Sequence, residues 1–386
     1  MPGQSVRRLA GDNVDSGSGV IAEDIVASRI QEWMESGDTG ISEIESRYKR
    51  YIWRKWVFMA GCITVAVVAI GLSLTLGTYP ISFQETYQII WDHLTGNIQD
   101  VTKDEVVFDL RMPRIMAGIL AGAGLAVAGA CMQSTLKNPL ADPFTTGVSS
   151  GATLGATVAI VLGISLGGAG IVSNAFVFAL VPTSMMVAIS RMKSASPTMM
   201  IMAGIAIMYL FGAVTTVLKL WSDPDDLKSL YMWEVGSLGL ADWDGIVLMA
   251  PVVIIGAIVI QFLSRQLNVM ATGDESAKAL GVDANRLRAI CMVVVALIAA
   301  TVVSFTGMIG FVGLVCPHVV RIVIGADNRY LVPACAVFGM ALLLIADLVG
   351  RTILSPTIIQ VGVITSFLGG PMFLWLLLRN KSKIWG

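Results

Sequence analysis

The chain has 386 residues, 55% of them hydrophobic and only 14% charged, with 26 Lys and Arg against 27 Asp and Glu for a net charge of −1. A soluble globule carries about a quarter charged residues, so this composition excludes that class and implies a polytopic membrane protein. Near-neutral charge argues against a nucleic-acid partner.

Residues 1–18 hold Gly, Ser and Asp with little apolar content and read as a disordered tail. In residues 20–34, Ile21, Ile25, Val26, Ile30 and Trp33 share one face at helical spacing, which predicts an amphipathic helix. No apolar core follows a basic start, so no cleavable signal peptide is expected. Residues 1–50 therefore form a polar extension, and 51–386 a transmembrane domain.

Hydropathy predicts ten spans in that domain, over 56–76, 113–136, 145–166, 171–189, 198–220, 245–263, 287–306, 310–324, 331–349 and 358–378. With both termini in the cytoplasm, twelve Lys and Arg fall in cytoplasmic segments or span ends and six outside, before the extension is counted. The positive-inside rule favours that orientation. Spans two to five and seven to ten are candidates for inverted repeats.

Small residues recur every four positions: Gly118, Gly122, Ala126 and Ala130, then Gly147, Gly151 and Gly155, then Gly362, Ser366 and Gly370. Such rows let helix backbones approach where lipid supplies no hydrophobic drive. Between spans two and three lies "KNPLADP". Pro139 and Pro143 stop helices, and Asn138 and Asp142 can bond backbone groups, so a rigid cytoplasmic corner is expected.

Most unusual is "MATGDESAKALGVDANRLRAI", residues 270–290, a polar stretch between apolar spans. Thr272 and Glu275 have capping-box spacing, Asp274 and Lys278 are spaced i, i+4, and Gly281 suits a helix stop. Asp283 can cap a second helix carrying Arg286 and Arg288 into the next span. The pattern predicts a helix-turn-helix on the cytoplasmic side, either a plain solvated element or a lever for a docking partner.

Catalytic chemistry is sparse. No GxxxxGK[ST] phosphate loop and no HExxH occur. Asp347 is the clear acid within the spans, and Arg351 one turn on is its expected partner. Cys62, Cys131, Cys291, Cys316 and Cys335 have no CxxC spacing and read as buried apolar side chains. His318, with Cys316 beside it, gives two ligands at most, too few for a metal site.

Four blocks, in order, resemble one family. "RMPRIMAGILAGAGLAVAGACMQSTLKNPLADPFTTGVSSGA" (111–152), "ESAKALGVDANRLR" (275–288), "GMIGFVGLVCPHVVRIVIGADNRYLVP" (307–333) and "VGVITSFLGGPMFLWLL" (361–377) are similar to the FecCD-type permeases. These are membrane subunits of ATP-binding cassette (ABC) importers for iron-siderophores, haem and cobalamin.

The resemblance implies an all-α, ten-span permease of the type II importer architecture in the cytoplasmic membrane, a transport subunit and not an enzyme. It implies pairing with a second copy as a homodimer. It also implies two ATPase subunits docked on coupling helices at 271–288, through Thr272, Asp274, Glu275, Lys278, Ala279, Leu280, Gly281, Val282 and Arg286. An extracytoplasmic substrate-binding protein would meet Arg111, Arg114 and Arg351. No cofactor is expected on this chain, with ATP and Mg in the partner. The family usually shows Glu-Leu-Pro ahead of the GxxT of the last span, whereas this chain has Ile358, Ile359 and Gln360. The rival expectation is an ion-coupled secondary transporter, which usually displays several polar groups at the midplane.

Overall fold

The computed structural model describes residues 18–77, 79–167, 170–190 and 197–379. Of the expected tail, residues 1–18, all but Ser18 lie outside them. The chain divides into two compact units, Met1–Trp56 and Val57–Gly386. Among the described residues every regular element is helical.

The chain opens with α1 (Ser18–Thr75), whose bounds include the predicted 20–34 helix and the first span. Next, α2 (Phe83–Thr95) begins at a capping box, in which Ser82 Oγ accepts from the Glu85 amide and the Glu85 carboxylate accepts from the Ser82 amide. It stops at Gly96, whose φ of 71° is left-handed. Asp100 caps α3 (Val101–Glu105). A π-helical segment (Val106–Arg111) then feeds α4 (Met112–Leu136).

α4 is the hub. Of its most apolar stretch 89% is buried, against 22% for the stretch at Thr198–Leu220. It packs against α9 (Trp243–Met270), α11 (Ala284–Thr306), α12 (Val312–Ile324) and α13 (Asn328–Thr352). Glycine makes this possible. A Cβ on Gly122 would lie 2.4 Å from the Gly339 carbonyl oxygen, and one on Gly129 only 1.8 Å from that of Gly313. Backbone therefore meets backbone. Gly118 is looser, with Leu238 and Leu344 side chains just over 3 Å from its virtual Cβ.

A second tight pair is α5 (Val148–Val161) with α6 (Gly170–Ser190). Here Gly151 and Gly155 lie against the carbonyls of Phe178 and Asn174. The remaining helices are α7 (Pro197–Leu220), α8 (Pro224–Glu234), α10 (Asp274–Ala279) and α14 (Val361–Arg379).

Among the described residues seven helices are long and apolar enough to cross a membrane, and three shorter apolar ones, in α5, α12 and α14, complete the ten. The third span is shorter than hydropathy predicts. A 3₁₀ turn (Phe144–Thr146) precedes it, Gly147 at φ 89° starts it, and it ends at Val161, with Gly163 turned to φ 64°. Fourteen residues reach about 21 Å, less than a hydrocarbon core of about 30 Å. Such half-helices survive only inside protein, and Gly151–Thr157 are all buried.

Candidate functional site at the two ends of α4

Lys137 closes α4 in the left-handed conformation, φ 49° and ψ 35°. Its Nζ reaches Asp274 Oδ1 at 2.7 Å, and Arg288 donates to Asp274 Oδ2 at 2.9 Å. Asp274 is the first residue of α10, so one carboxylate ties this short helix to the end of α4 and the start of α11. Arg288 is 1% exposed and also donates to Asn285 Oδ1 at 3.0 Å. Burial works to raise the Asp274 pKa, but the bonds from Lys137 and Arg288 outweigh it and hold the carboxyl below its ordinary value.

Two local expectations fail here. The capping box at Thr272 and Glu275 does not form: α9 runs on to Met270, and Thr272 Oγ1 completes that helix by donating to the Val269 carbonyl. Gly273, at φ 121°, takes the position ahead of α10 with no side-chain cap. Nor does Asp274 pair with Lys278, because Lys137 and Arg288 satisfy it instead. Gly281 does turn the chain, at φ 82°, and Asp283 accepts from the amides of Asn285 and Arg286. Ala277 is buried beneath α10, Val282 is half-buried, Glu275, Lys278 and Ala279 are exposed on the helix, and Leu280 after it and Arg286 in α11 are exposed too.

The corner beside Lys137 is built from backbone bonds. Asn138 Oδ1 accepts from the Leu140 amide and Asp142 Oδ1 from the Thr145 amide, while Pro143 supplies a carbonyl to Thr146 Oγ1. Asp142 is buried, which pushes its pKa up to about 6 against the pull of the Thr145 and Phe144 amides.

Sequence reading missed a polar network on the same side. Asn268 accepts from the Asn328 amide and side chain and donates to Asp327, and Asn328 accepts from Ser134. Arg321 donates to Gln133 and Ser134. This joins α4, α9, α12 and α13. The only local signal is a cluster of Asn and Asp at span ends.

At the start of α4 the three predicted arginines come together. Asp347 accepts from Arg114 Nε at 2.9 Å and from Arg351 Nε at 2.9 Å, so the expected i, i+4 pair is half of a triad. Arg111 donates to the Leu74, Thr75 and Tyr79 carbonyls and Arg351 to that of Leu76. These bonds satisfy the last carbonyls of α1 and the loop after it. Arg111 and Arg351 are only 6% and 7% exposed. They do not project; with Arg114 they line a recess of about 380 Å³.

Arg114 and Arg351 share one buried carboxylate there while Arg111 is held by carbonyls, and the acid on the wall, Asp109, is exposed. Ile358, where the family pattern expects Glu, lines the same wall.

Gly147–Gly151 also spells the GxSxG of hydrolases, which the sequence reading passed over. Its central serine is Ser149, and a 3₁₀ turn, not a strand, leads into it. Among the described residues no three His, Cys, Asp or Glu side chains gather as a metal site. All five cysteines are buried and free.

The described residues form a multi-pass helical body whose tightest contacts are backbone to backbone, with charged clusters at both ends of its central helix. The chain belongs to the FecCD transport family, whose model matches residues 65–379. It is 38% identical over 354 residues to an ABC transporter permease of Methanocaldococcus jannaschii, covering 89% of this chain and all of that one. It is 35% identical to the hemin transport permease HmuU of Yersinia pestis, over 84% of this chain and 96% of that protein. Among solved structures, a metal-chelate type ABC transporter in an inward-facing conformation superposes with a TM-score of 0.73 at 29% identity, covering 83% of this chain and 98% of that one. The chain is thus an ABC importer permease, a transport subunit rather than an enzyme.

Proposed function

We propose that two copies of this chain form a homodimer whose shared pathway carries an iron-siderophore, haem or cobalamin chelate across the cytoplasmic membrane, with both termini inside. ATPase subunits dock on the exposed surface of α10 and the neighbouring corner. They bind ATP and Mg, and this chain binds no cofactor. The observation that carries this reading is the Asp274 bridge: movement of α10 must move the ends of α4 and α11 with it.

At the other end, a substrate-binding protein inserts acidic side chains into the arginine recess. The floor is preformed by Asp347 and the α1 carbonyls, so little order is lost on docking. Alternating access then follows from the partners binding the two conformations unequally. Similarity to the hemin permease and to the metal-chelate transporter supports the cargo class.

The test is uptake into proteoliposomes. With the co-purifying ATPase and ATP present, ferric siderophore, haem or cobalamin accumulates. Accumulation driven by a proton or sodium gradient with the ATPase omitted would replace this reading with secondary transport.

A further inference from the structure

α2 divides into three sectors that no transport step uses. Phe83, Tyr87, Trp91 and Leu94 recur at i, i+4, i+8 and i+11, and all four are exposed, from 57% to 74%. At 100° per residue they fall within one quadrant of the helix. A second sector faces the protein: Thr86 is buried, Ile89 is half-buried, and His93 bonds both oxygens of Asp104 while stacking on Phe108 of the π segment, centroids 3.6 Å apart. The third sector is polar and carries Gln84, Gln88 and Asp92.

We infer that the aromatic sector of α2 docks into the headgroup boundary of the bilayer on the Arg351 side. Three observations choose lipid over a protein partner. First, the stripe is continuous with a membrane-facing surface. Phe83 lies 3.9 Å from a Cβ built on Gly71 of α1, whose neighbours Val68 and Leu72 are 55% and 42% exposed. Second, α2 begins at Phe83, a short loop after the α1 span ends at Thr75, and its contact with Gly71 holds it near the end of that span. Third, a Phe, Tyr, Trp and Leu stripe beside a polar sector is the composition of an interfacial helix, with Tyr and Trp suited to a place between hydrocarbon and water. The polar sector lacks Lys and Arg, so the surface it fits is zwitterionic rather than anionic.

The arrangement gives α2 a task. The His93–Asp104 pair and the Phe108 stack link it to the segment that carries Arg111, so the bilayer surface holds the arginine recess at a fixed depth.

The five native cysteines are buried, so an exposed engineered thiol labels selectively. Tyr87→Cys and Gln88→Cys are labelled with bimane in phosphatidylcholine nanodiscs. Lipid spin-labelled near the headgroup should quench the Tyr87→Cys label several-fold more than the Gln88→Cys label. Aqueous iodide should show the reverse order. Iodide quenching of both labels, or shielding of the Tyr87→Cys label from both quenchers, would overturn the inference: the first puts the stripe in water, the second under a protein.

Discussion

The two ends of α4 use charge in opposite ways. At the Arg351 end the charges are buried, and the arginines are spent on Asp347 and on carbonyls at the end of α1. At the Asp274 end a half-exposed carboxylate holds a six-residue helix that carries few other contacts to the body. Buried charge with several partners fixes geometry, because each broken bond leaves a desolvated ion. A half-exposed carboxylate with partners on two different helices, one of them the buried Arg288, ties the short helix to both at once. Under the proposed function, one end of the central helix is a preformed receptor and the other a lever.

Substitutions can break this contrast at either end. The largest effect is expected from Asp347→Asn, which leaves Arg114 and Arg351 without their shared charge at a cost of about 3–5 kcal/mol. It should lower the thermal unfolding midpoint in detergent strongly. An unchanged midpoint would mean the triad is not structural. Gly129→Ala forces a methyl into the Gly313 carbonyl, with an overpacking cost of about 1–3 kcal/mol or more, whereas Gly61→Ala, with nothing within 4 Å, should be silent. Paired unfolding curves separate the two.

Asp142 gives a pH test. Its folded pKa of about 6 lies above the ordinary 3.8, so the folded state holds a proton the unfolded state has already lost. Stability should rise by roughly 1–2 kcal/mol as pH falls from 7 to 5, at about 1.4 kcal/mol per pKa unit. Its full value is reached below the ordinary carboxyl range. Asp142→Asn should remove that slope. Lys137→Met is expected to be mildest in stability, about 0.2–1 kcal/mol, because the Lys137–Asp274 pair is partly solvated. Its effect should show in transport more than in melting.

What the sequence made legible was local. Hydropathy placed the spans, and i, i+4 spacing found Asp347 with Arg351. The second partner of Asp347, Arg114, is 233 residues away, and Lys137 is 137 residues from Asp274. No spacing rule reaches either. The polar helix was visible from composition, but its start was misplaced because α9 continues past the apolar run and uses Thr272 for itself. The half-length of α5 was hidden because hydropathy is blind to the left-handed glycines at 147 and 163. The arginines stand out in the sequence as basic residues in loops expected outside, while their burial emerged only from packing against the end of α1.

The most direct measurement is coupling in proteoliposomes that contain the chain, its ATPase and its binding protein, comparing wild type with Asp274→Asn. ATPase binding and basal hydrolysis should persist, since the exposed surface of α10 is intact. Uptake per ATP should fall about tenfold or more, the equivalent of one lost charge-assisted tie of about 1.4 kcal/mol or more. Wild-type uptake per ATP in the variant would contradict the lever.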